Sequence, residues 1–192
     1  MSRRTVLAGL PAGQDLWVYG HGSLLWDPGF HFVDIRQADL AGYQRRFSYR
    51  THIVGRGSPE HPSLVLSLEE GAGACQGLVF CISAAQVEAE SAILWRREMI
   101  RGGYCPVLRP VQTPQGEVTA LVFAPNLAHR DHLGELPLDG TAAIIASGQG
   151  PLGTNRAYLE QVGQQLDGLG IQDDYLDHLL KLVKMIKPQD SS

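Results

Sequence analysis

The sequence predicts an α+β fold, a small curled β-sheet or barrel with flanking helices. Two observations carry that reading. Short apolar runs of strand length, separated by glycine and proline, fill the first two thirds of the 192 residues. The last third repeats its apolar residues every three or four positions, as a helix with one buried face does. Strands first and helices later is the order of an α+β domain.

The elements follow in order. Residues 16–19 read as a strand and 38–49 as a long or bent one with Gly42 inside it. Residues 63–68 alternate, with Leu64, Leu66 and Leu68 on one face; 69–73 read as a turn into the apolar run 76–82, which makes a hairpin. A second hairpin pairs 105–111 with 118–123 through T-P-Q-G-E, where Pro114 and Gly116 are turn residues. Between the hairpins lies one helix. Ser83 and Gln86 have capping-box spacing, Glu88 and Glu90 sit near its start, and Val87, Ser91 and Leu94 share a face. Gly102 and Gly103 stop it.

Residues 126–153 read as loop, rich in glycine and proline, and loops carry sites more often than cores do. Thr154 or Asn155 caps a helix with Leu159, Val162, Leu166 and Leu169 inward, ended by Gly170. Asp173 caps a last helix with Leu176, Leu179, Leu180, Val183 and Ile186 inward, lysines 181, 184 and 187 toward its end, and Pro188 as a stop.

Composition narrows the function. With 44% hydrophobic residues the chain can bury a sizeable core. The expected organisation is a flexible N-terminal arm over 1–15, a single domain over 16–187 and a tail over 188–192. A net charge of −4 gives no electrostatic footprint for nucleic acid or an acidic membrane. No apolar run approaches the roughly 20 residues of a membrane span. Cys75, Cys81 and Cys105 are odd in number and none sits in a C-x-x-C pair. That argues against a disulfide framework or structural zinc and for a reducing, cytoplasmic setting.

The stretch W-V-Y-G-H-G-S-L-L-W-D-P-G-F, residues 17–30, carries the strongest local signal. An apolar strand ends in Gly20 and Gly22 around His21. Glycines there can adopt backbone angles closed to other residues and admit a ligand to the main chain. The N–H groups of such a turn bind carboxylates or oxyanions. Ser23 follows, but Leu25 stands where the G-x-S-x-G nucleophile elbow needs its second glycine, and no G-K-[ST] ending makes it a P-loop. His129 and His132, in H-R-D-H, have no third metal ligand at suggestive spacing. Glu98, in L-W-R-R-E-M-I-R-G-G-Y, lies at the C-terminal end of the middle helix. The helix dipole and the apolar neighbours Trp95, Met99 and Ile100 raise its pKa, while Arg96, Arg97 and Arg101 lower it.

Three segments together resemble the ChaC-like γ-glutamylcyclotransferases, the glutathione-specific branch. Residues 17–30 resemble that family's W-x-F-G-Y-G-S-L-I-W opening, 94–104 its L-x-x-R-E-x-x-G-Y helix end, and G-P-L-G-T-N-R-A-Y-L-E (150–160) its G-x-S-x-N-x-x-Y-L segment. The resemblance covers about residues 16–187 and implies a small barrel with flanking helices. It implies that Glu98 is the catalytic acid/base, that the turn of Val18, Tyr19, Gly20, His21, Gly22, Ser23 and Leu24 holds the γ-glutamyl part of a small-molecule substrate, and that Tyr158 lines the pocket. No metal or cofactor is implied. The implied reaction is intramolecular: the substrate's α-amino group attacks its own γ-carbonyl, giving 5-oxoproline and, from glutathione, Cys-Gly. One departure is His21, where the family has tyrosine. Cyclisation of another γ-glutamyl amine or peptide, and a non-catalytic γ-glutamyl-binding module, are the alternatives.

Overall fold

The computed structural model describes residues 2–11, 13–51 and 55–187. The expectations for Pro188 and the tail 188–192 lie outside the described residues. The elements run α1 (Arg3–Leu7), β1 (Leu16–Gly20), a 3-10 turn (Ser23–Leu25), β2 (Asp34–Thr51), β3 (Ser63–Ile82), α2 (Val87–Met99), β4 (Tyr104–Thr113), β5 (Gly116–Pro125), α3 (Leu138–Ser147), β6 (Gln149–Gly150), β7 (Gly153–Thr154), α4 (Asn155–Gly168) and α5 (Asp174–Met185). Five strands close a barrel in the order β1-β3-β2-β4-β5, so the predicted fold class holds. Strand β1 runs antiparallel to β3, with Gly20 opposite Leu78, and parallel to β5, with Val18 opposite Leu121. Closure pairs both edges of the barrel sheet.

Several sequence expectations change. Residues 63–82 are one 20-residue strand, not a hairpin turning at 69–73. A Cβ on Gly71 would come within 2.8 Å of the Gln44 side chain. The glycine marks a close approach inside a strand, which sequence alone does not distinguish from a turn. The loop expected over 126–153 contains α3, a ten-residue helix. Its buried positions Thr141, Ala142 and Ile145 are few, and Gly140 lies within it, so the periodic signal is weak. The second hairpin forms as predicted, with Thr113 opposite Gly116 across Pro114 and Gln115. The α2 helix forms too, but it begins at Val87 with Gln86 as N-cap. The Ser83 hydroxyl bonds the Gln86 side chain rather than capping the helix.

By internal packing the chain divides into two compact units. The first comprises residues 1–44 and 68–129. Its core joins Tyr19, Leu40, Leu68, Val79, Val111 and Val122 inside the barrel wall. Arg3 on α1 donates to the Glu88 carbonyl at 2.8 Å and to Ser91 Oγ at 3.0 Å, which ties the N-terminal helix to α2. Cys75 and Cys81 are buried and Cys105 is exposed. Burial, aided by Asp15 at 3.6 Å from the sulfur, pushes the Cys81 thiol up to about 11.

The second unit comprises residues 45–67 and 130–192. Thr154 caps α4 by accepting from the Ala157 N–H at 3.1 Å. Asn155 does something else: its amide accepts from the Leu64 N–H at 2.8 Å and donates to the Leu64 carbonyl at 2.7 Å. Asp173 caps α5 through the Leu176 N–H and also meets the buried Arg45 at 3.2 Å. At the far end of α5, Arg156 donates to the carbonyls of Val183 and Ile186, groups the helix itself leaves unpaired. Among the described residues no helix is long and apolar enough to cross a membrane.

These neighbours have separable costs. Asn155→Ala strands two buried peptide groups and is expected to lose about 3 kcal/mol of stability. Thr154→Ala loses only the cap, about 1 kcal/mol. Urea denaturation of the two variants measures both.

Candidate active site

The turn after β1 is shaped from beneath. A Cβ on Gly77 of β3 would lie 2.4 Å from the Gly20 carbonyl oxygen and 2.8 Å from the Tyr19 hydroxyl. A Cβ on Gly20 would lie 3.0 Å from both Leu24 Cβ and Phe80 Cε2. Neither Gly20 nor Gly22 uses a left-handed φ, while Gly22, at φ −128° and ψ −126°, lies outside the strand and helix regions. At Gly20 the requirement is close packing, and Gly77 is the residue that sequence reasoning missed. Its strand position gave no local signal.

Past Gly20 the chain enters the 3-10 turn Ser23–Leu25, with Gly22 at its N-cap. The Leu25 N–H donates to the Gly22 carbonyl at 2.9 Å. The N–H groups of Ser23 and Leu24 precede it, where a helical turn supplies no acceptor of its own. Leu24 is buried and Ser23 half-buried. Val18 and Tyr19 are fully buried, and the Tyr19 hydroxyl donates to the Cys75 carbonyl at 2.6 Å. His21 is buried and stacks on Tyr19, ring centroids 6.3 Å apart and 13° from parallel.

Glu98 sits in the last turn of α2 with its side chain 15% exposed. Burial raises its carboxyl above the usual carboxylate range, and the Arg97 guanidinium, 3.2 Å from Oε1, works against that rise. The net direction is upward. Arg97 also donates to Ser23 Oγ at 3.0 Å, so the carboxylate and the glycine turn share one cation within the first unit. A guanidinium has no acceptor, so Arg97 cannot take a proton from Ser23.

Tyr158 belongs to the second unit, on α4. Its ring packs edge-on against Phe47 at 5.8 Å, with the Arg56 guanidinium 5.7 Å from its centroid. His129 meets the Arg101 carbonyl at 3.0 Å, and His132 lies 6.3 Å from the Tyr49 ring. Among the described residues no group of three or more His, Cys, Asp or Glu is placed to hold a metal ion.

The barrel with its flanking helices is the fold of a γ-glutamyl cyclotransferase. The crystal structure of the glutathione-specific enzyme from yeast superposes with a TM-score of 0.79 at 22% identity, over 90% of this chain and 96% of that one. The chain belongs to the ChaC-like protein family, whose model matches residues 16–186. It is 36% identical to the glutathione-specific γ-glutamylcyclotransferase of Escherichia coli K12, over 96% of this chain and 80% of the relative. It is 32% identical to glutathione-specific γ-glutamylcyclotransferase 1 of Rattus norvegicus, over 91% of this chain and 81% of the relative.

Two outcomes follow from the geometry. Gly77→Ala displaces the Gly20 carbonyl and is expected to destabilise the fold by about 1–3 kcal/mol, read by denaturant unfolding. For Glu98, the raised carboxyl pKa means that the folded state holds this proton more tightly than the unfolded chain does. The ionised side chain therefore costs stability above the folded pKa, and the cost vanishes below the unfolded value of about 4.3. Glu98→Gln should melt at a higher temperature than wild type at pH 7, with the difference lost near pH 4. Thermal melts across that range decide it.

Proposed function

We propose that this chain is a glutathione-specific γ-glutamylcyclotransferase with Glu98 as its acid/base. The observation that carries the reading is a largely desolvated carboxylate, kept above the usual range, joined through one guanidinium to an N–H-bearing glycine turn. Membership of the ChaC-like family and the names of its relatives supply the substrate.

The chemistry needs little more. The nucleophile arrives with the substrate as the α-amino group of the γ-glutamyl unit. An α-ammonium cannot attack, so Glu98 first takes a proton from it. The amine nitrogen bonds to the γ-carbonyl carbon, closing a five-membered ring and leaving a tetrahedral oxyanion. Collapse breaks the bond to the cysteinyl nitrogen, which Glu98 protonates; the ring nitrogen gives up its second proton, again to Glu98, and the released amine takes it up as its ammonium. The products are 5-oxoproline and Cys-Gly. Tethering supplies much of the rate advantage once the folded-back conformer is selected. A raised pKa suits a group that must both accept and return a proton near neutrality.

In this reading the N–H groups of Ser23 and Leu24 serve the oxyanion or the substrate α-carboxylate. Ser23 Oγ, which accepts from Arg97, keeps its own proton to donate to substrate. Gly20, His21 and Gly22 set the path of that turn; Val18 and Tyr19 hold it from the barrel interior. Tyr158 joins the substrate-binding set on the strength of its place in the third motif. His21, where the family has tyrosine, favours testing other γ-glutamyl compounds beside glutathione. A cytoplasmic setting accords with three free cysteines.

The test is incubation of the purified protein with glutathione, with detection of 5-oxoproline and Cys-Gly. Glu98→Gln is expected to lose roughly 10²–10⁴-fold in kcat while staying folded. Near-normal turnover by that variant would remove Glu98 from the mechanism. Product only from another γ-glutamyl compound would move the substrate and keep the reaction. No product from any of them would favour a binding module.

A further inference from the structure

The three nitrogens of the Arg97 side chain go to three partners. Nε lies 3.2 Å from Glu98 Oε1. Nη2 donates to Ser23 Oγ at 3.0 Å. Nη1 donates to the Asp27 carbonyl, with the Asp27 carboxylate 3.6 Å away. Consecutive residues on a helix do not ordinarily face each other, yet Arg97 Nε and Glu98 Oε1 meet at the end of α2. Gly29 leaves the space for it: a Cβ there would stand 3.0 Å from Nη1.

We propose that Arg97 is a positioning residue for the reaction, fixing the Glu98 carboxylate relative to the Ser23 turn. The inference rests on the cyclotransferase reading above. A group that moves a proton from one substrate nitrogen to another works only while its oxygen stays within reach of both. A glutamate in the last turn of a helix has several rotamers open to it. The guanidinium removes that freedom, because its planar fork engages Glu98, the serine hydroxyl and a loop carbonyl at fixed angles. A lysine ammonium presents one nitrogen and cannot make the same three-way link. The charged groups that meet Arg97 are Glu98 on α2 and Asp27 after the turn; His21, within the turn, stacks on Tyr19. Arg97 is the charge that opposes the effect of burial on Glu98.

Arg97→Gln and Arg97→Lys test this in two ways. With glutathione, kcat is expected to fall roughly 10–100-fold in both variants, with KM changed far less. Separately, the Glu98 carboxyl is titrated by NMR in protein carrying 13C-labelled glutamate, the signal being assigned by its loss in Glu98→Gln. Its midpoint should move to higher pH in Arg97→Gln and return toward wild type in Arg97→Lys, which restores charge but not the fork. The titration needs no turnover, so an inactive wild type would sink the functional reading while the Arg97 coupling is still decided. Wild-type kcat together with an unmoved midpoint in Arg97→Gln would overturn the proposal. So would a loss of activity that merely tracks loss of folded protein with the midpoint unchanged, since that marks a stabilising ion pair and nothing more.

Discussion

The site depends on two backbones meeting where no side chain fits. Gly77 of β3 lies so close to the Gly20 carbonyl that a methyl group would stand 2.4 Å from its oxygen. Strand β1 can therefore end deep against β3, with Tyr19 buried beside Cys75 and the following turn fixed by the barrel wall. Interiors are packed to crystal density and transmit small displacements. The turn inherits its position from that wall, and Ser23 in turn reaches α2 through a single guanidinium.

Electrostatics at the end of α2 runs against stability. A carboxylate there opposes the helix dipole and is desolvated as well, and one arginine only partly offsets both effects. The cost is local. Other acidic residues are placed with the dipole, as where Asp173 caps α5 and Glu88 lies in the first turn of α2 beside Arg3. Asp167, in the last turn of α4, opposes the dipole as Glu98 does; what sets Glu98 apart is the added desolvation.

Much of this was legible in the sequence. The hairpin through T-P-Q-G-E, the Thr154 and Asp173 caps and the barrel-forming strands follow from turn chemistry and periodicity. The errors share a physical cause. Gly71 and Gly77 look like turn or filler residues in one dimension, but both lie inside a strand, and Gly77 answers the backbone of Gly20, distant in the chain. Helix α3 went unseen because ten residues with a glycine carry little amphipathic signal. For the site, motif resemblance pointed to Glu98 and the turn. The link between them did not emerge, since Arg97 beside Glu98 in sequence reads as one of several surface cations. Only its contacts in the fold, Glu98 on one side and Ser23 on the other, make it a bridge.

The buried cysteines have a consequence for life among thiols. The proposed substrate is itself a thiol and exists in cells beside its disulfide. Exchange with that pool requires a thiolate able to reach the disulfide. Cys81, pushed up to about 11, is ionised in roughly one molecule in ten thousand at pH 7, and Cys75 is closed off in the barrel core. The two interior sulfurs are thereby insulated from mixed-disulfide formation. Cys105, exposed on β4, carries whatever redox exposure the chain has.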